Sequence, residues 1–217
     1  MKLSKMLEWC TTVKYEIFGR ASDYVIRHKG DTAYILFKGS DSLKNELKWF
    51  WPTKSSSVVE SNLFCQSKLV DHWCKINFGV RSDLSKLAGA NPKIKKVVCV
   101  GFGHGGALAQ ICALWFQSIY GNKFIIKGYS FGSPRVFSTI IPERVYDFTK
   151  NLTVIINRED IITRLPMKVF GYDYISTSKL IDITPFSHRN ACGSHSVGVY
   201  MDALRRYERF LKVVKES

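Results

Sequence analysis

Apolar residues in this chain fall into short continuous runs, separated by longer stretches with helical spacing. Ala33-Tyr34-Ile35-Leu36-Phe37 is such a run. It ends in Lys38-Gly39-Ser40, the pattern of a buried strand leading into a loop. Val97-Val98-Cys99-Val100 is a second run. Phe124–Ile126 continuing through Gly128–Phe131 is a third, and Leu152–Asn157 is a fourth. Tyr15–Gly19 and Tyr24–His28 suggest an early hairpin. Between the strands, Leu63–Leu87 places Leu69, Trp73, Ile76 and Val80 on one side at helical spacing. Ala107–Tyr120 predicts a strong helix and Ser196–Lys215 an amphipathic closing one, with Val199, Leu204, Leu211 and Val214 turned inward. Asn45–Trp51 is rich in aromatics, and Pro52–Ser57 has the composition of a loop. Buried strands alternating with helices predict an α/β fold with a largely parallel sheet. No repeat or low-complexity segment interrupts the pattern, so the 217 residues are expected to form a single domain.

Composition narrows the class further. Hydrophobic residues make up 46% and charged residues 23%, which excludes a disordered tail or a small cysteine scaffold. No apolar run approaches the ~20 residues that span a bilayer. The charged start Met1-Lys2-Leu3-Ser4-Lys5 predicts no secretion signal. Six cysteines, at positions 10, 65, 74, 99, 112 and 192, fit no zinc spacing. They are expected to be buried free thiols, in a reducing, intracellular compartment. No cofactor or metal is implied. The net charge is +14. The excess over residues 1–50, 51–100, 101–150 and 151–217 is +3, +5, +3 and +3, so the positive field belongs to the whole body. Such a field favours a negative partner: anionic lipid head groups, an acidic protein face or, non-specifically, a nucleic acid backbone. Alternatively, it serves solubility alone.

The most informative local feature is Val98-Cys99-Val100-Gly101-Phe102-Gly103-His104-Gly105-Gly106-Ala107-Leu108-Ala109. A buried strand runs through a glycine-dense turn into a helix. Gly101, Gly103 and Gly106 satisfy G-x-G-x-x-G. A dinucleotide site also needs an acid at the end of the next strand, and Phe124–Gly128 offers none. The alternative is a nucleophile elbow, G-x-S-x-G, which lifts a serine above an α/β sheet. Gly101, Gly103 and Gly105 occupy that frame, with glycine in the serine's place. Glycine tolerates the strained turn but supplies no hydroxyl.

At these residues the chain resembles the class 3 (fungal-type triacylglycerol) lipase family. The elbow G-H-S-L-G-G-A-L-A aligns with Gly101–Ala109. The strand Y-x-F-G-x-P-R-V aligns with Tyr129–Val136. N-x-x-D-x-V-x-x-L-P aligns with Asn157–Pro166, and H-x-x-x-x-Y with His195–Tyr200. Upstream, F-R-G-[ST]-x-S resembles Phe37–Ser42. The resemblance covers roughly residues 30–205 and implies an α/β-hydrolase fold with a Ser-Asp-His triad in that chain order. It assigns Asp160 as the triad acid, His195 as the base, Ser40 and His104 as oxyanion-hole positions, and Gly103 as the nucleophile position. Phe102 stands where the family has histidine, and His104 where it has leucine.

Without the resemblance, Asp160 reads equally as a cap or as a partner for Arg158 or Arg164, and His195 as an ordinary helix-start residue. His28, His72 and His188 are expected to be ordinary polar residues. Trp49, Phe50 and Trp51 are either core or a lipid-facing edge. A serine acyl-enzyme is impossible without the hydroxyl. The expected function is therefore a lipase-like protein without hydrolase activity, serving in binding or assembly, for example within a virion or other particle. The alternative is residual lipase or esterase activity through Asp160 and His195.

Overall fold

A computed structural model describes residues 1–13, 16–17, 20–21, 23–39, 43–49, 55–57, 63–140, 142–175, 178–184 and 193–216. Its centre is a six-stranded sheet of β1 (Tyr24–Lys29), β2 (Thr32–Phe37), β3 (Lys96–Phe102), β4 (Ile125–Phe131), β5 (Leu152–Ile156) and β6 (Lys179–Asp182). The strands lie side by side in sequence order. β1 and β2 are antiparallel, and every later neighbour is parallel. This is the largely parallel α/β arrangement that the alternating pattern predicts, and it agrees with the α/β-hydrolase fold that the family resemblance implies.

One expectation is corrected at the start of the sheet. Tyr15, Phe18 and Gly19 of the expected hairpin lie outside the described residues, and among the described residues Tyr24–Lys29 pairs with the strand that follows it. Gly30, at φ 58°, makes the tight turn into Thr32 that this hairpin needs. Upstream, among the described residues, Glu16–Ile17 pairs with Arg20–Ala21.

Side-chain alternation splits the sheet residues between two cores. Ala33, Ile35, Phe37, Val97 and Cys99 point to one face, under α3 (Ser67–Ala90) and α4 (His104–Tyr120). Trp73 anchors that side. Its ring meets Phe37, Trp115 and Phe116 edge-on at centroid distances of 6.4, 5.8 and 6.4 Å. Tyr34, Leu36, Val98 and Val100 point to the other face, under α1 (Leu3–Thr12) and α5 (Val197–Glu216). β2 is buried along its whole length, as a strand covered on both faces must be. A short helix α2 (Leu43–Trp49) follows β2. A small antiparallel sheet of Ser55–Ser57, Phe64–Gln66, Phe137–Ser138 and Tyr172–Asp173 lies apart from the main one.

α5 departs from its predicted packing. Val199, Tyr200, Ala203 and Leu204 are buried, but Leu211 and Val214 are exposed, together with Phe210 and Val213. The helix outruns the body it packs on, so its apolar stripe continues past the last buried turn. Cys74 is exposed, unlike the buried Cys10, Cys65, Cys99 and Cys112. Cys192, His188, Phe50 and Trp51 lie outside the described residues, as does the side chain of Trp49.

Candidate active site

The carboxyl ends of β3 and β5 deliver the chemistry-bearing residues, where parallel α/β sheets place their sites. Asp160 follows β5 and is fully buried. Its Oδ1 accepts the backbone N–H of Ile162 at 2.8 Å, which fixes the carboxylate plane. Its Oδ2 accepts from His195 Nδ1 at 2.7 Å and from the Tyr200 hydroxyl at 2.8 Å. Arg158 pairs instead with Asp182, and Arg164 donates to the Arg158 carbonyl at 2.7 Å. The alternative reading of Asp160 as an arginine partner therefore does not hold.

Because a carboxylate oxygen only accepts, the proton of the His195 imidazole sits on Nδ1, and Nε2 is left to face the turn after β3. Phe102 stacks on the same ring at 4.8 Å with planes 27° apart, which limits its rotation. Tyr200 locks the arrangement from beneath: its hydroxyl also accepts the N–H of Asn157 at 3.1 Å. Burial, reinforced by the adjacent Asp160 charge, holds that phenol well above its ordinary pKa, so it remains a donor.

Gly103 sits between β3 and α4 at φ 54° and ψ −122°, a conformation that L side chains rarely adopt. Its N–H donates to the Phe131 carbonyl at 2.9 Å, tying the turn to β4. A Cβ built on Gly103 would stand 3.2 Å from His195 Nε2. Asp160, His195 and position 103 are thus brought together. The amide of His104, first in α4, points to the same spot. Ser40 lies outside the described residues.

Sequence reasoning missed Glu46, which α2 projects into this centre. Its carboxylate is 1% exposed, and both its oxygens accept the His104 backbone N–H, each at 3.0 Å. The first turn of a helix carries unsatisfied N–H groups and a partial positive charge, so a carboxylate is favoured there. The Cβ built on Gly103 would lie 3.0 Å from Glu46 Cδ and inside contact distance of Oε1. A sequence signal did exist. Leu43, Glu46 and Leu47 share one helix face, and both leucines pack against the core, so an acid on that face is out of place.

His72 was also missed. Its Nδ1 lies 2.8 Å from Nε2 of His104, and its own Nε2 lies 3.2 Å from Asp23 Oδ2. Burial, helped by neighbouring His72, pulls the His104 imidazole down to about 3, so its ring is neutral. Its neutral ring therefore adds no positive charge beside the Glu46 carboxylate. Among the described residues no cluster of histidine, cysteine or acid side chains could hold a metal ion.

Comparison with known proteins places the family and the fold. The family model described as Lipase (class 3) matches residues 34–170. A secreted mono- and diacylglycerol lipase 1 of Fusarium solani is 26% identical over 151 residues, covering 70% of this chain and 44% of that enzyme. The triacylglyceride lipase of Rhizomucor miehei superposes with a TM-score of 0.59 at 22% identity, over 75% of this chain and 62% of its own. A triacylglycerol lipase whose catalytic centre is described as a serine protease triad gives the same score and identity, over 76% and 68%. This chain spans less than half the length of the Fusarium enzyme. That enzyme is secreted, which lends no support to the reducing, intracellular compartment expected from the cysteines. No helix among the described residues is long and apolar enough to cross a membrane.

Proposed function

The chain belongs to the class 3 lipase family, and from that premise we propose that it is a lipase-fold protein that has given up ester hydrolysis and serves in binding or assembly. One observation carries this reading: the position facing His195 Nε2 is a glycine, and a carboxylate fills the space its side chain would take. In this reading Gly103 stands at the family's nucleophile position. Asp160 and His195 are the acid and base left behind, and the His104 N–H is an oxyanion donor now engaged internally.

Glu46 does not replace the lost serine on esters. A carboxylate that attacks an ester forms a tetrahedral adduct from which it leaves more readily than an alkoxide does. The adduct therefore reverts, and the anhydride that would form otherwise lies uphill. Removing the nucleophile of such a triad costs on the order of 10⁶-fold in turnover. The positive body, at +14 overall, favours an anionic partner surface, whether lipid head groups, an acidic protein or a larger particle. Ser40 remains the second oxyanion position by alignment.

The 2.7 Å contact between Asp160 and His195 favours a second reading, in which the imidazole still drives water onto an ester. One experiment separates the two. Hydrolysis of short- and long-chain p-nitrophenyl esters is compared in the native chain and in His195→Ala. Equal, background rates are expected. Turnover in the native chain that the variant loses would establish the second reading.

A further inference from the structure

The Asp160–His195 pair is intact, yet the position it serves is occupied rather than vacant. Three facts about Glu46 coincide. It is almost wholly buried on α2. Its carboxylate takes the His104 N–H with both oxygens. Its oxygen also intrudes where a Cβ on residue 103 would stand, 3.2 Å from His195 Nε2. The side chain thus does two things at once: it fills the volume a nucleophile would need, and it uses the N–H that would stabilise an oxyanion.

We propose that Glu46 is a built-in occupant of the hydrolytic centre, and that positions 46 and 103 form one coupled unit. The carboxylate acts as the chain's own anionic ligand and keeps the centre closed to substrate. The proposal rests on the reading of Gly103 as the vacated nucleophile position and adds what that reading lacks. Restoring the serine alone does not restore the centre, because the serine and Glu46 compete for the same space and the same N–H. The chemistry of the site follows too. With Glu46 shortened, the exposed N–H and the space before it fit a small carboxylate such as acetate or butyrate, held as Glu46 is held now.

Two measurements test this on the full chain. The first compares Gly103→Ser, Gly103→Ser with Glu46→Gln, and Gly103→Ser with Glu46→Ala. The readouts are covalent labelling by a fluorophosphonate and hydrolysis of p-nitrophenyl butyrate. Glutamine keeps the volume and an accepting oxygen, whereas alanine removes both. Only the variant with Glu46→Ala is expected to be labelled at residue 103. It should hydrolyse ester on the order of 10²-fold faster than the other two, the effect of one oxyanion donor. Equal labelling of Gly103→Ser alone would overturn the proposal while leaving the native chain's inactivity explained. No labelling of any variant would also overturn it.

The second measurement needs no change at Gly103 and so survives any failure of the serine variants to fold. Acetate and butyrate are titrated against the native chain, Glu46→Gln and Glu46→Ala, with melting temperature as readout. A saturable rise confined to Glu46→Ala is expected. Its absence, or an equal rise in the native chain, would overturn the proposal. Hydrolysis by the native chain that His195→Ala abolishes would instead defeat the functional reading beneath it.

Discussion

His104 works at both ends. Its amide feeds the Glu46 carboxylate, while its ring is buried against His72, which in turn faces Asp23. Because the ring's folded pKa, about 3, lies below the ordinary 6.5, the folded state keeps it neutral while the unfolded chain takes up a proton. The unfolded state therefore binds more protons between those values, and stability is lost as pH falls from about 6.5 towards 3. The slope from one such proton is about 1.4 kcal/mol per pH unit. Urea midpoints measured at pH 7, 6, 5 and 4 should fall for the native chain and fall less steeply for His104→Gln. An unchanged slope would place the titrating group elsewhere. At this scale the sequence revealed what lies in motifs. Asp160 and His195 each stand in a motif that singles them out, and the fold brings both to the turn after β3. Glu46 and His72 have no such flanks. What makes them matter is the closeness of α2 and α3 to the start of α4, which is a product of folding.

Among the elements, the β3–α4 turn is the least tolerant of change. A Cβ on Gly101 would stand 2.6 Å from the Gly106 nitrogen and closer still to the Gly105 carbonyl. The obstacle is backbone, so no side-chain rotation relieves it. Gly101→Ala should cost at least about 3 kcal/mol, seen as a large drop in melting temperature or loss of soluble protein. Gly89, near the end of α3 with nothing within 4 Å of its Cβ direction, gives the opposite sign. Gly89→Ala should stabilise by about 0.5–1 kcal/mol in the same assay. Long, strongly patterned elements were legible before folding: β2 and β3 as apolar runs, and α4 as a helix with hardly any polar positions. The missed ones are those whose burial is thin. β6 buries only Ile181 of its four residues, and α1 hides Met6, Leu7 and Cys10 behind a charged opening. The partner of Tyr24–Lys29 is Thr32–Phe37, which the pattern does not specify because apolar alternation fixes the face of a strand but not which strand lies beside it.

For the molecule as a whole, the field dominates. Lys2, Arg205, Arg209 and Lys212 line one cleft between α1 and α5, beside the exposed end of α5 with Phe210 and Val213. Glu208 at the same place is taken up by the Ser4 amide and hydroxyl, at 2.9 and 2.7 Å. The chain should co-sediment with phosphatidylglycerol-containing vesicles and not with pure phosphatidylcholine. Binding should weaken as salt shortens the screening length from about 10 Å at 0.1 M to about 3 Å at 1 M. Arg205→Glu with Arg209→Glu should weaken it further. Equal retention on both vesicle types would remove charge as the cause. The order of strands has a consequence of another kind. Neighbours in the sheet are also successive in the chain, so each strand leaving the ribosome finds its docking edge already made. Glu46 precedes His104 by 58 positions, whereas Asp160 and His195 emerge much later. During synthesis the Glu46 carboxylate can therefore claim the helix start before Asp160 and His195 exist.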